Sequence, residues 1–375
     1  DTQQPDALQP SSAGLALNAE QQRAVDLIKQ SKGFRPILLV GVTGSGKTEV
    51  YLQSIEQALA DGKQVLILVP EIGLTPQLVE RFTARFNTKI ASLHSGLTDR
   101  MRFDAWQTIR SGETRIVIGT RSAIFIPFAN LGMIVIDEEH DPSFKQQEGF
   151  RYHARDLALV RAKQLDIPVI MGSATPALES LLNVQQGRFK ELQLTQRAGR
   201  AAAPNFELLD VKGVELDTGL APDIISRIND HITLGNQVLV FINRRGFAPT
   251  LTCQECGSTV DCTRCDARMT LHRKPPKLHC HHCDRQTPIP RHCQHCGSDQ
   301  LRPAGSGTER IEQRLSELFT NTSIKRVDRD STHSRHAFES LMNEVNSGDP
   351  CILVGTQMLA KGHHFPNVTL VVIVN

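Results

Sequence analysis

The chain has no apolar run approaching the ~18 residues a membrane-spanning helix needs. Its polar start, Asp1 to Gly14, carries no signal-peptide pattern. A membrane partner is therefore excluded, and a cytoplasmic location is expected. Neither sign of charge dominates: 42 Lys+Arg against 40 Asp+Glu leave a formal +2. No global positive field announces a nucleic acid, so any such partner must be gripped by a local strip of charge. Aromatic residues are scarce, with one Trp, two Tyr and 15 Phe in 375 residues, so a local cluster of them stands out. Nine cysteines are few for a disulfide scaffold of this length, and eight of them form four CxxC pairs. Without an export signal, that arrangement points to metal binding in a reducing compartment. What remains, 39% hydrophobic and 22% charged, is ordinary globular composition. At about 150 residues per domain, two or three domains are expected. Asp1 in place of Met suggests a piece of a longer chain.

Residues 1–16, rich in Gln, Pro, Ser and Asp, read as a linker. From Leu17 onward, short Ile/Val-rich runs alternate with longer amphipathic stretches. The runs Ile37–Val40, Val65–Val69, Ile116–Ile118, Met133–Ile136 and Val169–Met171 have the continuous apolar character of parallel strands buried on both faces. Helices fit between and after them at Lys47–Ala60, Thr75–Phe86, Asp99–Ser111, Ala154–Gln164 and Pro176–Gln186. This alternation predicts an α/β domain with a doubly wound parallel sheet over 17–200. A second α/β domain is expected over 201–375, with strands Phe206–Asp210, Val238–Ile242, Ile324–Val327, Ile352–Val354 and Val368–Val374. It is interrupted at 253–302 by an insertion holding all four CxxC pairs. The last strand meets the chain end with no helix to cover it, which again suggests a truncated second domain.

Gly41-Val42-Thr43-Gly44-Ser45-Gly46-Lys47-Thr48 fits GxxxxGK[ST] between an apolar strand and a helix. Its glycines let backbone N–H groups turn inward around nucleotide phosphates, and the helix N-terminus adds partial positive charge. Lys47 is placed to reach the β- and γ-phosphates of ATP, and Thr48 offers a hydroxyl to Mg²⁺. Asp137-Glu138-Glu139-His140 follows another apolar run. A strand-end Asp137 can hold Mg²⁺, and Glu138 can orient and deprotonate a water, which is hydrolase chemistry. The alternative is a solvated acidic turn. Gln21, ahead of the phosphate loop, could read an adenine edge with its amide or be an ordinary helix-surface residue.

The cysteine spacing is Cys253-x2-Cys256-x5-Cys262-x2-Cys265-x14-Cys280-x2-Cys283-x9-Cys293-x2-Cys296. Each CxxC offers two thiolates, and two pairs close a tetrahedral zinc site, so eight thiolates imply two Zn²⁺. Sequential pairing would join the first two knuckles across five residues, a tight reversal. Nested pairing joins the inner knuckles across 14 residues, near the usual ribbon spacing, with the outer ones around them. His279, His281, His282, His292 and His295 could replace a cysteine. Residues 253–302 carry eight Lys/Arg and five Asp/Glu, a formal +3. Two Zn(Cys)₄ centres bring that to about −1, which favours a fork-shaped wedge or protein-docking surface over a phosphate clamp.

After Glu139, Phe144, Phe150 and Tyr152 interleave with Lys145, Arg151 and Arg155. Bases could stack on the rings while the cations hold phosphates, coupling nucleic acid to Glu138; equally, the aromatics could be core beneath an ordinary loop. Phe103, Trp106 and Ile109 at helical spacing read as core. Ser306–Glu309 fits a helix capping box, and Cys351 reads as a buried small hydrophobe.

Around these motifs stand others in fixed order: Pro70-Glu71-Ile72, Gly119-Thr120-Arg121-Ser122, Gly172-Ser173-Ala174-Thr175-Pro176, Phe241–Gly246, and Gly355-Thr356-Gln357 with Lys361-Gly362. From Leu17 onward the chain resembles a superfamily 2 helicase with two RecA-like domains. With DEEH, FINRRGF, four CxxC pairs and GTQMLAKGHHFP, it resembles in particular the primosomal replication-restart helicases. The resemblance implies an ATP-driven 3′→5′ DNA helicase at abandoned forks, in a bacterial, nucleoid-associated setting. Forked and single-stranded DNA, primosome proteins and single-stranded DNA-binding protein are the implied partners. It implies adenine at Gln21, and phosphates and Mg²⁺ at Lys47 and Thr48. Hydrolysis would run at Asp137 and Glu138, coupling through Ser173 and Thr175, and the DNA backbone would lie along Arg121 and Thr356. Nested zinc pairing agrees with it and is the arrangement expected. ATP would bind between the lobes. The family's N-terminal DNA-binding region and final Gln/Arg motif are not recognisable here; Gln196–Arg200 imitates the latter but precedes the second sheet. A duplex translocase that does not unwind, and a non-catalytic product binding nucleotide and DNA or partners through the zinc module, are the rival readings.

Overall fold

The computed structural model describes residues 15–70, 76–198, 204–211, 213–242, 250–265, 267–272, 275–304, 308–327, 335–356 and 365–374. Most of the 1–16 linker, Glu71, Ile72, Asn243–Gly246, Ser306, Gln357, Lys361 and Gly362 lie outside these residues. The chain divides into two compact units, Asp1–Asn205 and Phe206–Asn375, against an expected boundary at 200/201.

The first unit opens with α1 (Ala19–Lys29), capped by Asn18 and burying Gln21, Ala24, Val25 and Ile28 at i, i+3, i+4 and i+7. There follow β1 (Pro36–Gly41), α2 (Lys47–Ala60), β2 (Gln64–Leu68), α3 (Pro76–Arg85), β3 (Ile90–Leu93), α4 (Asp99–Arg110) and β4 (Ile116–Gly119). A 3₁₀ turn (Arg121–Phe125) leads to β5 (Leu131–Asp137), a short hairpin of β6 (Lys145–Gln146) and β7 (Tyr152–His153), then α5 (Ala154–Leu165), β8 (Val169–Ser173), α6 (Leu178–Gln185) and β9 (Lys190–Leu194). Seven strands form one parallel sheet in the order β3-β4-β2-β5-β8-β1-β9. Alternate residues of each strand face opposite layers, as the pleat requires. Ile37, Leu39, Val65, Ile67, Ile116, Val135 and Ile170 pack with α1, α2 and α3 residues. Leu38, Leu66, Val117, Ile134, Ile136 and Met171 pack with α4 and α5 residues. Burial on both faces produces the continuous apolar runs read in the sequence.

The second unit holds α7 (Pro222–Thr233), β10 (Gln237–Ile242), β11 (Thr250–Cys253), β12 (Thr270–His272), β13 (Lys277–His279), β14 (Gln286–Thr287) and β15 (Leu301–Ala304). Then come α8 (Thr308–Leu318), β16 (Ser323–Val327), α9 (Arg335–Asn346), β17 (Cys351–Gly355) and β18 (Val368–Val374). Its parallel sheet runs β16-β17-β10-β18. Cys351 is buried in β17, and burial raises its thiol pKa. The expected strand Phe206–Asp210 does not form. Phe206 is 90% exposed and Leu208 fully exposed, so nothing covers that apolar pattern among the described residues. The Phe103–Trp106–Ile109 stripe is core only at Ile109; Phe103 lies outside, stacked on Trp106 with centroids 6.3 Å apart.

The cysteine-rich insertion stands on a two-stranded stem, β11 against β15, with Thr250 opposite Ala304 and Cys253 opposite Leu301. Beyond it, β12, β13 and β14 form a small antiparallel sheet over a core of Leu251, Met269, Leu271 and Leu278 with Cys262 and Cys280.

Candidate functional site

Three neighbouring strands bring the motifs of the first unit to one edge of its sheet. Val40 on β1 pairs with Ser173 on β8, and Gly172 on β8 pairs with Asp137 on β5. The phosphate loop, the DEEH turn and Ser173–Thr175 therefore share the carboxyl edge, where parallel α/β sheets bind ligands. In the loop, Gly44 and Gly46 have φ of 79° and 80°, left-handed conformations that glycine alone adopts without strain. Lys47 Nζ donates to the Gly41 carbonyl at 3.0 Å. The Ser45 hydroxyl is buried with no hydrogen-bond partner among the described residues. An aligned loop, an orphan hydroxyl and a lysine at a helix N-terminus fit a nucleotide phosphate chain.

Gln21 has a different task from the one expected. It is 4% exposed; its amide donates to Ser45 O at 2.8 Å and accepts from Asn18 N at 2.9 Å. It buttresses the phosphate loop from α1 and does not present its amide outward to adenine.

Asp137 ends β5 and accepts a hydrogen bond from Tyr51 Oη at 3.0 Å. Burial, followed by the charge of Glu138, raises its carboxyl to about 6, while Tyr51 and Lys47 oppose that rise. A desolvated carboxylate beside a second one fits a cation site. Tyr51, one helical turn after Lys47, reaches Asp137 because residue 172 is glycine: a Cβ there would lie 1.5 Å from the Tyr51 hydroxyl. Glu138 has φ of 49°, a strained conformation for a non-glycine residue and one that recurs at functional turns. Its carboxylate lies 3.6 Å from His140 Nδ1. His140 Nδ1 in turn shares a 2.7 Å hydrogen bond with Ser173 Oγ, which accepts from Thr175 N at 2.9 Å. Buried Ser173 and exposed Thr175 are thereby linked to Glu138 through His140.

Sequence reasoning passed over Glu139. It is fully buried, accepting from Arg155 Nη1 at 3.0 Å, Ser180 Oγ at 2.9 Å and Ala177 N at 2.8 Å. Arg155 is 8% exposed and committed to this pair, so it leaves the set of phosphate-holding cations. Arg155→Ala is expected to destabilise the first unit by about 3–5 kcal/mol, since it strands a buried carboxylate. Chemical denaturation of wild type and variant measures this; a change under 1 kcal/mol would make the pair dispensable.

Two further expectations are corrected, at Phe144 in the loop after DEEH and at Arg121 in the 3₁₀ turn before β5. Phe144 is completely buried in the core beneath the sheet and cannot stack on a base. Arg121 does not point a free guanidinium at a backbone; its Nη1 donates to Ser143 O at 2.9 Å and Lys145 O at 3.2 Å, pinning the loop. Phe150 is 76% exposed, Arg151 is exposed and Tyr152 half-buried. An unforeseen third ring joins the latter pair: Phe125 meets Tyr152 edge-on at 4.9 Å and Phe150 at 6.4 Å. Its signal in the sequence was its position just after Arg121-Ser122. A cleft of about 380 Å³ beside Tyr152 is lined by His94, Arg102, Arg121 and Gln146. In the second unit, Thr356 is 2% exposed at the end of β17, buried and not surface-facing.

The eight paired cysteines of the insertion gather in two groups. Cys253, Cys256, Cys293 and Cys296 form one and Cys262, Cys265, Cys280 and Cys283 the other, which is the nested arrangement. Sulfur–sulfur distances of 3.6 Å (Cys253–Cys296), 3.7 Å (Cys256–Cys293) and 3.5 Å (Cys262–Cys283 and Cys265–Cys280) approach the ~3.8 Å edge of a tetrahedron with Zn–S of about 2.3 Å. Arg264 N and His295 N donate to Cys262 and Cys293 sulfur, each at 3.4 Å. Such contacts lower both thiols to about 6: the Arg264 amide is foremost at Cys262, and the Ser258 hydroxyl at Cys293. The donor set fits zinc.

Comparison with known proteins accords with this geometry. The DEAD/DEAH box helicase family matches residues 18–184, and the PriA DNA helicase Cys-rich region domain matches residues 262–288. Replication restart protein PriA of Haemophilus influenzae is 53% identical over 361 residues, covering 96% of this chain and 50% of that protein. The chain belongs to the PriA family. The PriA protein of Bacillus subtilis is 44% identical, covering 95% of this chain and 45% of its own length, so the chain spans about half of these curated relatives. Among solved structures, the DUF1998 helicase MrfA bound to DNA matches with a TM-score of 0.59 at 17% identity, covering 96% of this chain and 45% of that one. Mycobacterium smegmatis helicase Lhr bound to ssDNA and AMP-PNP matches with a TM-score of 0.57 at 17% identity, covering 96% and 42%. At that identity they share the fold: RecA-like α/β units, here with a zinc-binding insertion. No helix among the described residues is long and apolar enough to cross a membrane.

Proposed function

We propose that the chain is the ATP-driven motor core of a 3′→5′ DNA helicase that remodels stalled forks for replication restart. The observation that carries this is the convergence of Lys47, Asp137, Glu138 and Ser173 at one sheet edge, in a chain 53% identical to a replication restart protein over 96% of its length. Residues 41–48 would hold the ATP phosphates, with Thr48 and Asp137 holding Mg²⁺, which when bound neutralises phosphate charge. Lys47 balances the β- and γ-phosphates, and Glu138 takes the proton of the attacking water. The path from Glu138 through His140 and Ser173 to Thr175 supports mechanical coupling: any movement at the hydrolytic carboxylate is felt on the adjacent strand end. Fork and single-stranded DNA are the substrates, primosome proteins and single-stranded DNA-binding protein the partners, and the bacterial nucleoid the setting.

The DNA-facing part of this reading is the Phe125–Phe150–Tyr152 cluster, its two phenylalanines exposed and Tyr152 half-buried, with Arg151 and Lys145. Phe150→Ala with Tyr152→Ala should leave basal ATP turnover near normal, because neither ring touches the phosphate loop or Asp137. Single-stranded DNA should bind more weakly by roughly 1–3 kcal/mol per lost stack. Turnover with and without single-stranded DNA, in this chain and in a polypeptide of its relatives' length, tests both. Full stimulation in the double variant would return the loop to ordinary packing. The proposal as a whole is tested by Lys47→Ala, which should abolish ATP turnover with DNA affinity largely retained; wild-type turnover would refute it.

A further inference from the structure

We propose that His272, His279 and His281 form a third metal site in the insertion, with three imidazole donors for a divalent transition ion. One ring nitrogen of each lies within 4.8 Å of those of the other two. The hairpin explains why. Thr270 pairs with His279 and His272 with Lys277, so His272 and His279 are diagonal neighbours on one face of β12 and β13. His281 lies two residues past His279, and Cys280 between them goes to the other side, into the inner cysteine group. The same stretch of chain thus presents a sulfur one way and two imidazoles the other. The four cysteines of each group suffice for their own tetrahedra, so these histidines are not substitutes for thiolates but a separate donor set.

The detailed geometry leaves room for an ion. His272 Nε2 and His281 Nε2 are 3.1 Å apart, a hydrogen-bond distance when one ring carries the proton, and close to the spacing of two nitrogens on one ion. Imidazoles bound tetrahedrally at about 2.0–2.1 Å place their nitrogens roughly 3.3–3.4 Å apart. The His279 and His281 rings lie 4.5 Å apart between centroids. Asp284 Oδ1 bonds His279 Nε2 at 2.6 Å, the kind of carboxylate contact that fixes a ligating ring. His272 is buried, at 6% exposure, while His281 is exposed, so an ion held here would keep a coordination position open to solvent. A three-nitrogen set suits Zn²⁺, Co²⁺ or Ni²⁺ and not Mg²⁺ or Ca²⁺, which prefer oxygen.

The test uses the untagged chain carrying its two zincs, dialysed against Co²⁺. The wild type should retain both zincs and take up one cobalt per chain, with visible d–d bands and no thiolate-to-cobalt charge transfer. His281→Ala, exposed and outside both cysteine groups, should weaken cobalt binding by about tenfold or more with both zincs kept. His272→Ala should do the same, and His282→Ala, adjacent but outside the cluster, should bind like wild type. No third ion in the wild type, cobalt appearing only as zinc is displaced with thiolate charge transfer, or unchanged affinity in His281→Ala would each overturn the proposal.

Discussion

Cys262→Ser is expected to cost the chain one of two zincs and to melt the insertion while the first unit keeps its stability. The reason is the size of the insertion's apolar core. Its buried cluster consists of Leu251, Met269, Leu271 and Leu278 together with Cys262 and Cys280, so two of the six members are themselves metal ligands. A core that small cannot offset the conformational entropy of the loops around it. Structural zinc supplies the difference: binding at a four-thiolate site is worth about 10–16 kcal/mol of folding free energy near neutral pH. After dialysis against a weak chelator, which empties the solvent-open histidine site, elemental analysis should read two zincs per wild-type chain and one in the variant, and limited proteolysis should then cut between 254 and 300. Cys253→Ser should remove the outer ion and spare the inner one, because the two groups share no ligand. A zinc count that stays at two in either variant would contradict the grouping.

Glu138→Gln should reduce ATP hydrolysis by ~10² or more while ATP still binds. The amide keeps the size and the hydrogen-bonding capacity of the side chain but cannot accept a proton from water. Nothing in the packing should change, since Glu138 is partly exposed and its backbone, at φ of 49°, carries over to Gln with the same strain. Neighbouring Glu139 provides the internal contrast. Glu139→Gln would weaken the buried pair with Arg155 and should lower stability, while Glu138→Gln should leave the unfolding midpoint in place. Single-turnover hydrolysis, fluorescent-nucleotide affinity and thermal unfolding of both variants separate the chemical carboxylate from the structural one. Equal loss of hydrolysis in both without loss of stability would mean the two roles are wrongly divided.

Much of the fold is legible in the sequence because five strands of the first sheet are buried on both faces and spell continuous Ile/Val/Leu runs. The two edge strands escaped for the converse reason. Ile90-Ala-Ser-Leu93 and Lys190-Glu-Leu-Gln-Leu194 are only partly buried, and half-covered edges need no apolar run. Phe206–Asp210 misled in the opposite direction: it joins no sheet among the described residues, and its apolar side chains Phe206 and Leu208 stay exposed. Within the site, the glycines, Lys47, Asp137, Glu138 and the cysteines are recognisable because their chemistry dictates both residue type and spacing. Gln21, Phe144, Arg121 and Arg155 read as ligand contacts because type alone does not reveal direction. Gln21 and Arg155 are turned inward by partners 24 and 16 residues away, Phe144 is buried in the core, and Arg121 is tied to two loop carbonyls. Glu139 went unnoticed because buried carboxylates are rare and its three partners lie 16 to 41 residues away. The histidine trio was invisible as a unit, since only the hairpin register puts His272 beside His279.

The stem of the insertion has a consequence for how such a fold can diversify. Cys253 and Leu301 are cross-strand partners, so the insertion enters and leaves the host at a single rung of a ladder. Everything past that rung is topologically one hairpin loop, whatever its length or content, and lengthening a loop costs only logarithmically in closure entropy. The cassette can therefore be exchanged, enlarged or shortened to a tight turn without moving a strand of the host, leaving the host sheet and its attachment free to evolve on separate schedules.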